Sequence, residues 1–283
     1  MKFYILDNGW ETLDKSFFIA GANSGVDSNR NPTNEWIDIP IQAYLVETDA
    51  GYILFDTGCD PDWKENWPAF IPEQSPYFVT EEQLLLNRLA QLGVSPDDIR
   101  YVVISHLHVD HAGNLHHFKN AEIFVNEDEF LQTLKAYVTG RDLDVHVPSD
   151  IEKIIAAKLN WHLLPNDTKE YHLTDGVTLL NFGSGHSFGM VGMRVDLPKT
   201  GRLLIVADAI YCKENVEPEI KVPGILYDSL GYKRTAKYIL DYARETGSKI
   251  LYGHDMAQFK TLVKSHEGCY EEGKTQNLKN TGD

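Results

Sequence analysis

Ser105-His106-Leu107-His108-Val109-Asp110-His111-Ala112-Gly113-Asn114 follows directly on the apolar run Tyr101 to Ile104, so a dense group of histidines begins where a strand is expected to end. Four side chains able to bind a metal, His106, His108, Asp110 and His111, fall within six residues. That density suits neither a hydrophobic strand nor an ordinary exposed loop. Buried polar groups need partners, and one metal ion is a partner to several at once. Five of the eleven histidines lie between His106 and His117, and histidine is the commonest neutral metal ligand.

Working outward, three more motifs occupy the same kind of position. Gly185-His186-Ser187 follows the run Val177 to Asn181, Asp208 ends the run Leu203 to Val206, and Gly253-His254-Asp255 ends Ile250 to Tyr252. Each sits just past an expected strand, the edge on which α/β folds build their sites. A glycine-flanked histidine alone reads as a turn residue; beside HxHxDH these become a set. The set holds seven groups, His106, His108, Asp110, His111, His186, Asp208 and His254. A zinc ion takes about four ligands, so seven exceed one ion. Two ions sharing a carboxylate and a hydroxide fit, the arrangement of a two-metal hydrolytic site in which bound water loses a proton near neutral pH.

The rest of the chain supports a large α/β domain. Its 283 residues and 42% apolar content supply a substantial core, and 42 acids against 26 bases give a net charge of −16. That charge excludes nucleic acid as the main partner, because phosphate binding needs a basic surface. Cys59, Cys212 and Cys269 form no disulfide framework, no apolar run is long enough to span a membrane, and Asp7 comes too early for a signal peptide. A cytoplasmic protein is expected, with a homodimer the remaining open assembly.

Strands are expected at Phe3 to Leu6, Ile41 to Glu47, Tyr52 to Phe55, Tyr101 to Ile104, Glu122 to Val125, Val177 to Asn181, Val191 to Asp196, Leu203 to Val206 and Ile250 to Tyr252. Helices are expected over Glu81 to Leu92 behind a Thr80 N-cap, Glu127 to Tyr137, Ile151 to Leu159 and Lys233 to Glu245. Two hairpins, Ile41 to Gly58 and Val191 to Ala209, repeat weakly with Asp56 matched to Asp208, which suggests two related sheets. Pro61 to Phe78 carries five aromatic residues among four prolines and reads as a structured loop at a pocket or interface. Residues 1–269 are expected to form one domain and 270–283 a flexible tail.

HLHVDH, the later His186, Asp208 and His254, and the strand end Asp56-Thr57-Gly58 resemble the metallo-β-lactamase superfamily, and within it the N-acyl homoserine lactonases. Asp208 to Asn215, with Tyr211 three residues after the aspartate, and Tyr252-Gly253-His254-Asp255 carry the closer likeness, which runs from about Ile41 to Asp255. The resemblance implies a four-layer αβ/βα sandwich of two mixed β-sheets with outer helices. It also implies His106, His108 and His186 on one divalent ion, Asp110, His111 and His254 on a second, and Asp208 bridging. The ions would be zinc, with iron, manganese or cobalt also suited to donors that include no thiolate. Two departures bear on the substrate. Phe188 and Met190 stand where lactonases often show proline and histidine, and Gly140 to Leu173 is longer than in compact lactonases.

The implied reaction is opening of a lactone ring by a metal-bridging hydroxide. Tyr211 would donate to the carbonyl oxygen and Asp110 would carry a proton to the leaving ring oxygen. Asp56 reads as a group that orients a ligand histidine or the nearby loop. The same metal ligands serve thioesterases of the glyoxalase II type, hydrolases of pyridoxine-derived lactones and β-lactamases. A non-catalytic metal-binding protein would be expected to lack a ligand or the shuttle, and neither is missing. His116 and His117 read as packing or solvated side chains, and His146, His162, His172 and His266 as surface residues. Cys59 and Cys212 read as small buried groups rather than nucleophiles.

Overall fold

The computed structural model describes residues 1–271. Twelve strands among these residues form two mixed sheets. They are β1 (Lys2–Asp14), β2 (Trp36–Thr48), β3 (Gly51–Phe55), β4 (Tyr77–Phe78), β5 (Ile99–Val103), β6 (Glu122–Asn126), β7 (Asn160–Leu164), β8 (Glu170–Thr174), β9 (Val177–Gly183), β10 (Met190–Leu197), β11 (Gly201–Ala207) and β12 (Lys249–Tyr252). The first sheet runs β4-β1-β2-β3-β5-β6-β7 and the second β12-β11-β10-β9-β8.

Side chains alternate across each strand, so both faces of the first sheet are apolar. Ile53, Phe55, Val103 and Phe124 face the core between the sheets. Their chain neighbours Leu54, Val102, Ile104, Ile123 and Val125 face outward into a second core with Leu85 and Leu89 of helix Leu85–Gln91. On the far side, helix Ser229–Thr246 packs on β9 and β11 through Tyr232, Ala236, Ile239 and Ala243, an apolar stripe at helical spacing. Asp228 caps its N-terminus and Gly247, at φ 67°, ends it. Helix, sheet, sheet and helix give the four-layer sandwich.

The weak repeat has a structural counterpart. The β2–β3 hairpin lies beside parallel β5, and the β10–β11 hairpin lies beside parallel β12. Asp56 and Asp208 follow β3 and β11.

Some elements depart from the expected pattern. β1 extends to Asp14, because Asn8-Gly9 forms a bulge between Asp7 and Trp10 rather than a turn. Gly9 sits at φ 91°, where a Cβ would lie 2.4 Å from the Phe78 carbonyl oxygen. The single helix expected over Glu81 to Leu92 is two pieces, a 3₁₀ turn Glu81–Gln83 and helix Leu85–Gln91. The Asn8 side chain donates to the Gln83 carbonyl at 2.9 Å, taking the acceptor a continuous helix would have used. Pro61 to Phe78 holds two short helices, Trp63–Asn66 and Phe70–Gln74, and edge strand β4. Trp63, Trp67 and Tyr77 pack with Val109 of the histidine motif. Strands β7 and β8, not among the expected strands, follow helix Pro148–Ala157 in and just beyond the long Gly140 to Leu173 stretch. Tyr270 pairs through its backbone with Phe3 and is buried, so the ordered chain runs past 269. Residues 272–283 of the expected tail lie outside the described residues. No helix among the described residues is long and apolar enough to cross a membrane.

Gly113 closes the histidine motif against the loop after Asp56. A Cβ there would stand 2.1 Å from the Asp60 nitrogen and 2.4 Å from the Cys59 carbonyl carbon, both backbone atoms. Gly113→Ala should therefore cost about 1–3 kcal/mol, read as a lower urea midpoint; an unchanged midpoint would show that the loop yields freely.

Candidate metal centre

All seven expected ligands converge at one edge of the sandwich. After β5 the chain turns through Ser105, whose N–H and Oγ donate to Asp56 at 2.7 and 2.8 Å. His108 precedes the short helix Val109–Ala112, which places Asp110 and His111. Opposite, the β9–β10 turn supplies His186, the end of β11 supplies Asp208 and the end of β12 supplies His254. Backbone bonds join these loops, from Val191 N to the Ser105 carbonyl at 2.9 Å and from His254 N to the Tyr211 carbonyl at 2.8 Å. Asp56 (φ 59°) and Ala207 (φ 44°) both adopt left-handed backbone, uncommon for such residues and found where a site demands it.

The donor atoms fall into two groups. One nitrogen each from His106, His108 and His186 lie within 4.8 Å of one another, as do one atom each from Asp110, His111, Asp208 and His254. Asp208 faces both. Its Oδ1 lies 2.9 Å from His254 Nε2 and 3.3 Å from His111 Nε2, while Oδ2 lies 3.2 Å from His186 Nε2 and 3.7 Å from His106 Nε2. Asp110 Oδ2 stands 3.2 Å from His111 Nε2 and 3.4 Å from His254 Nε2.

Three of the remaining ring nitrogens are engaged outside the centre. His111 Nδ1 donates to Asp56 at 2.8 Å, His254 Nδ1 to the Pro40 carbonyl at 2.9 Å and His186 Nδ1 to the Ile225 carbonyl at 3.1 Å. This fixes the tautomer and aims each Nε2 lone pair inward. Inside, His106 Nε2, His111 Nε2 and Asp208 Oδ1 are buried without a hydrogen-bond partner. Leaving such groups bare costs about 1–3 kcal/mol each, so the donor set fits cations.

The charges agree. Burial holds His106 and His108 well below the usual histidine pKa, in the neutral form that ligates, and lowers His186 as well. Burial also opposes charge on His254, but Asp208 and Asp110 overcome it and push this histidine up to about 9. His111, buried against three carboxylates, is likewise held well above its ordinary value. The second group thus calls for positive charge.

A cleft of about 620 Å³, including its open mouth, leads to these residues past Leu13, Phe18, Ile39 and Ile71. Tyr211 lies on its wall with its hydroxyl 3.0 Å from His186 Nδ1, a nitrogen that donates to Ile225. Glu11 and Ser75 form a polar spot in the same wall, and burial with the nearby Asp110 pushes Glu11 up to about 8.

Asp56, expected to orient a ligand histidine or the nearby loop, meets His111, and two residues escaped sequence reasoning. His146, expected at the surface, is buried, with its ring 4.5 Å from that of His108. The valines at 145 and 147 were the available signal. Glu129 is also buried, and its carboxylate accepts from His146, Leu107, Ser187 and Gly189. His116 and His117 are partly buried in a 3₁₀ turn apart from the two groups, and His172 and His266 are exposed. His162 is only partly exposed, stacked on Phe124 at 4.5 Å. Burial raises the thiols of Cys59 and Cys212, against a nucleophilic role for either.

Chelator-stripped protein should melt earlier and recover on adding divalent metal, by about 2.7 kcal/mol per site at one hundred times the dissociation constant. His108→Ala should lose metal content measured by elemental analysis; full loading of that variant would remove His108 from the ligand set.

A family model described as the metallo-beta-lactamase superfamily matches residues 36–254. N-acyl homoserine lactonase AiiB of Agrobacterium fabrum is 40% identical over 273 residues, covering 95% of this chain and 99% of the relative. N-acyl homoserine lactonase AiiA of Bacillus thuringiensis subsp. kurstaki is 30% identical over 259 residues, with 88% and 96% covered. A crystal structure of a B. thuringiensis AiiA variant with N-decanoyl-L-homoserine at its active site aligns with TM-score 0.77 and 28% identity, over 94% of this chain and 98% of that one. With this fold and these relatives, the chain belongs to the metallo-beta-lactamase superfamily and, within it, to the family of the N-acyl homoserine lactonases.

Proposed function

We propose that the chain is a two-metal hydrolase that opens the ring of N-acyl homoserine lactones. The observation that carries this reading is the Asp208 carboxylate, one oxygen toward each group of histidines, at the foot of a largely apolar cleft. His106, His108 and His186 would hold one ion and Asp110, His111 and His254 the other, with Asp208 available to both. Zinc suits five imidazoles and two carboxylates. When bound, the two ions supply a water of lowered pKa and a Lewis acid for an acyl carbonyl. Ligands come from loops of both sheets, so residues 1–269 act as one catalytic unit.

The side chains account for the rest. Asp110 is the most exposed carboxylate of the set, 13% against 4% for Asp208, and faces the cleft. It takes the proton of the attacking water as the water oxygen bonds to the acyl carbon, and returns it to the ring oxygen as the bond between the acyl carbon and that ring oxygen breaks. The product is an acyl homoserine with a free carboxylate and hydroxyl. Burial, with Asp208 nearby, holds Tyr211 well above the usual phenol pKa, so it stays protonated. Because His186 Nδ1 already donates to Ile225, the Tyr211 O–H is free to meet the carbonyl oxygen as charge develops. Leu13, Phe18, Ile39 and Ile71 give the acyl chain an apolar wall. Crystal structures of relatives contain N-decanoyl-L-homoserine at the active site and N-hexanoyl-L-homoserine at the catalytic metal centre, products of this chemistry.

Proton release on a panel of acyl homoserine lactones, simple lactones, a thioester and a β-lactam tests the assignment. Fastest turnover is expected on the acyl homoserine lactones, and preference for the thioester or β-lactam would overturn it. Asp110→Asn should lower kcat by about 10²–10⁴-fold. Tyr211→Phe should keep its metal and lose about 10²-fold in kcat; unchanged kinetics would remove Tyr211 from the reaction.

A further inference from the structure

Glu129 is fully buried in the first turn of helix Glu127–Thr139, its N–H held by the Asn126 side chain at 3.0 Å. Its carboxylate accepts four hydrogen bonds. Oε1 takes the Leu107 N–H at 2.8 Å and His146 Nε2 at 3.1 Å; Oε2 takes the Ser187 hydroxyl at 2.7 Å and the Gly189 N–H at 3.0 Å. Burial alone would drive it to the neutral acid, but His146 and the other donors hold its pKa below the ordinary value. A carboxylate with both oxygens doubly satisfied is rigid, and its partners are rigid with it.

The partners share one property. Leu107 separates His106 from His108, and Ser187 follows His186. His146 stands edge-on to His108, with ring centres 4.5 Å apart and planes at 82°, and is itself stacked on Phe188 at 5.1 Å. Glu129 therefore touches the support of all three histidines of one group. The other group rests on different residues, His111 on Asp56 and His254 on the Pro40 carbonyl; the two supports meet only at Ser105, whose Oγ lies 2.8 Å from Asp56, 3.0 Å from His106 Nδ1 and 3.4 Å from His111 Nδ1.

We propose that Glu129 is the positioning residue of the three-histidine site, fixing the spacing of His106, His108 and His186 through Leu107, His146 and Ser187, so that its loss weakens that metal site and spares the other. The inference rests on the two-ion reading above. It predicts an asymmetry that a general packing role does not. Loss of an outer partner weakens a metal site by about 10–100-fold, and here the loss falls on one site of two.

The test is a cobalt titration of chelator-stripped full-length protein, read by d–d absorption, with zinc content after equilibrium dialysis as a second readout. Wild type should take up two ions per chain. Glu129→Ala should take up one at the wild-type affinity, with the second weakened about 10–100-fold. Glu129→Gln keeps an acceptor for Leu107 and His146 but turns an amide toward the Gly189 N–H; it should fall between the two, and it carries the test if the alanine variant does not fold. Equal weakening of both sites, or of neither, overturns the proposal. A wild-type chain that binds fewer than two ions overturns it together with the two-ion centre. Two ions bound with no lactone hydrolysis would overturn the proposed substrate alone and leave Glu129 in its role.

Discussion

Asp208 stands between two groups of imidazoles with one carboxylate oxygen toward each, and much of the molecule serves to keep it there. Burial opposes its charge, yet His254, His111 and His186 hold it well below the ordinary aspartate pKa. Seven polar side chains at the mouth of an apolar sandwich would oppose folding if left bare. Cations reverse that sign, so metal binding and folding are coupled here. The formal charge of −16 overstates the free charge of the loaded protein by the same argument.

The two halves of the sandwich reach this edge by the same route. A hairpin feeds a parallel neighbour in each sheet, and each hairpin ends in left-handed backbone, at Asp56 in one and at Ala207 before Asp208 in the other. The matched aspartates then divide the work. Asp208 faces the donor groups directly, whereas Asp56 takes Ser105 and His111 from behind. Related turns thus supply one residue inside the centre and one outside it.

Chain segments that read as accessories hold the motif in place. The proline-rich stretch packs Trp63, Trp67 and Tyr77 against Val109, and the long Gly140 to Leu173 stretch delivers His146 to the flank of His108. Neither adds to the seven converging side chains. Both limit how the HxHxDH loop can move, and the first also lends Ile71 and Ser75 to the cleft.

Residue type and spacing alone reveal a set of side chains suited to binding metal. Imidazoles and carboxylates at strand ends identify themselves by type and spacing, and alternating apolar residues reveal strands buried on both faces. The sequence also foresaw Asp56, because a short motif puts that residue at a strand end. Only the tertiary structure decided what supports the ligands. Glu129 looks like an ordinary first-turn acid on a helix, and His146 like a stray loop histidine. Their roles come from contacts 17 to 60 positions away in the chain, which no local pattern encodes. For the same reason the Glu81 to Leu92 pattern looks like one helix although the chain forms two pieces. Its break at Leu84 is set by a side chain, Asn8, from a distant strand that competes for one carbonyl. Local periodicity records which face is buried; it does not record which distant donor takes which acceptor.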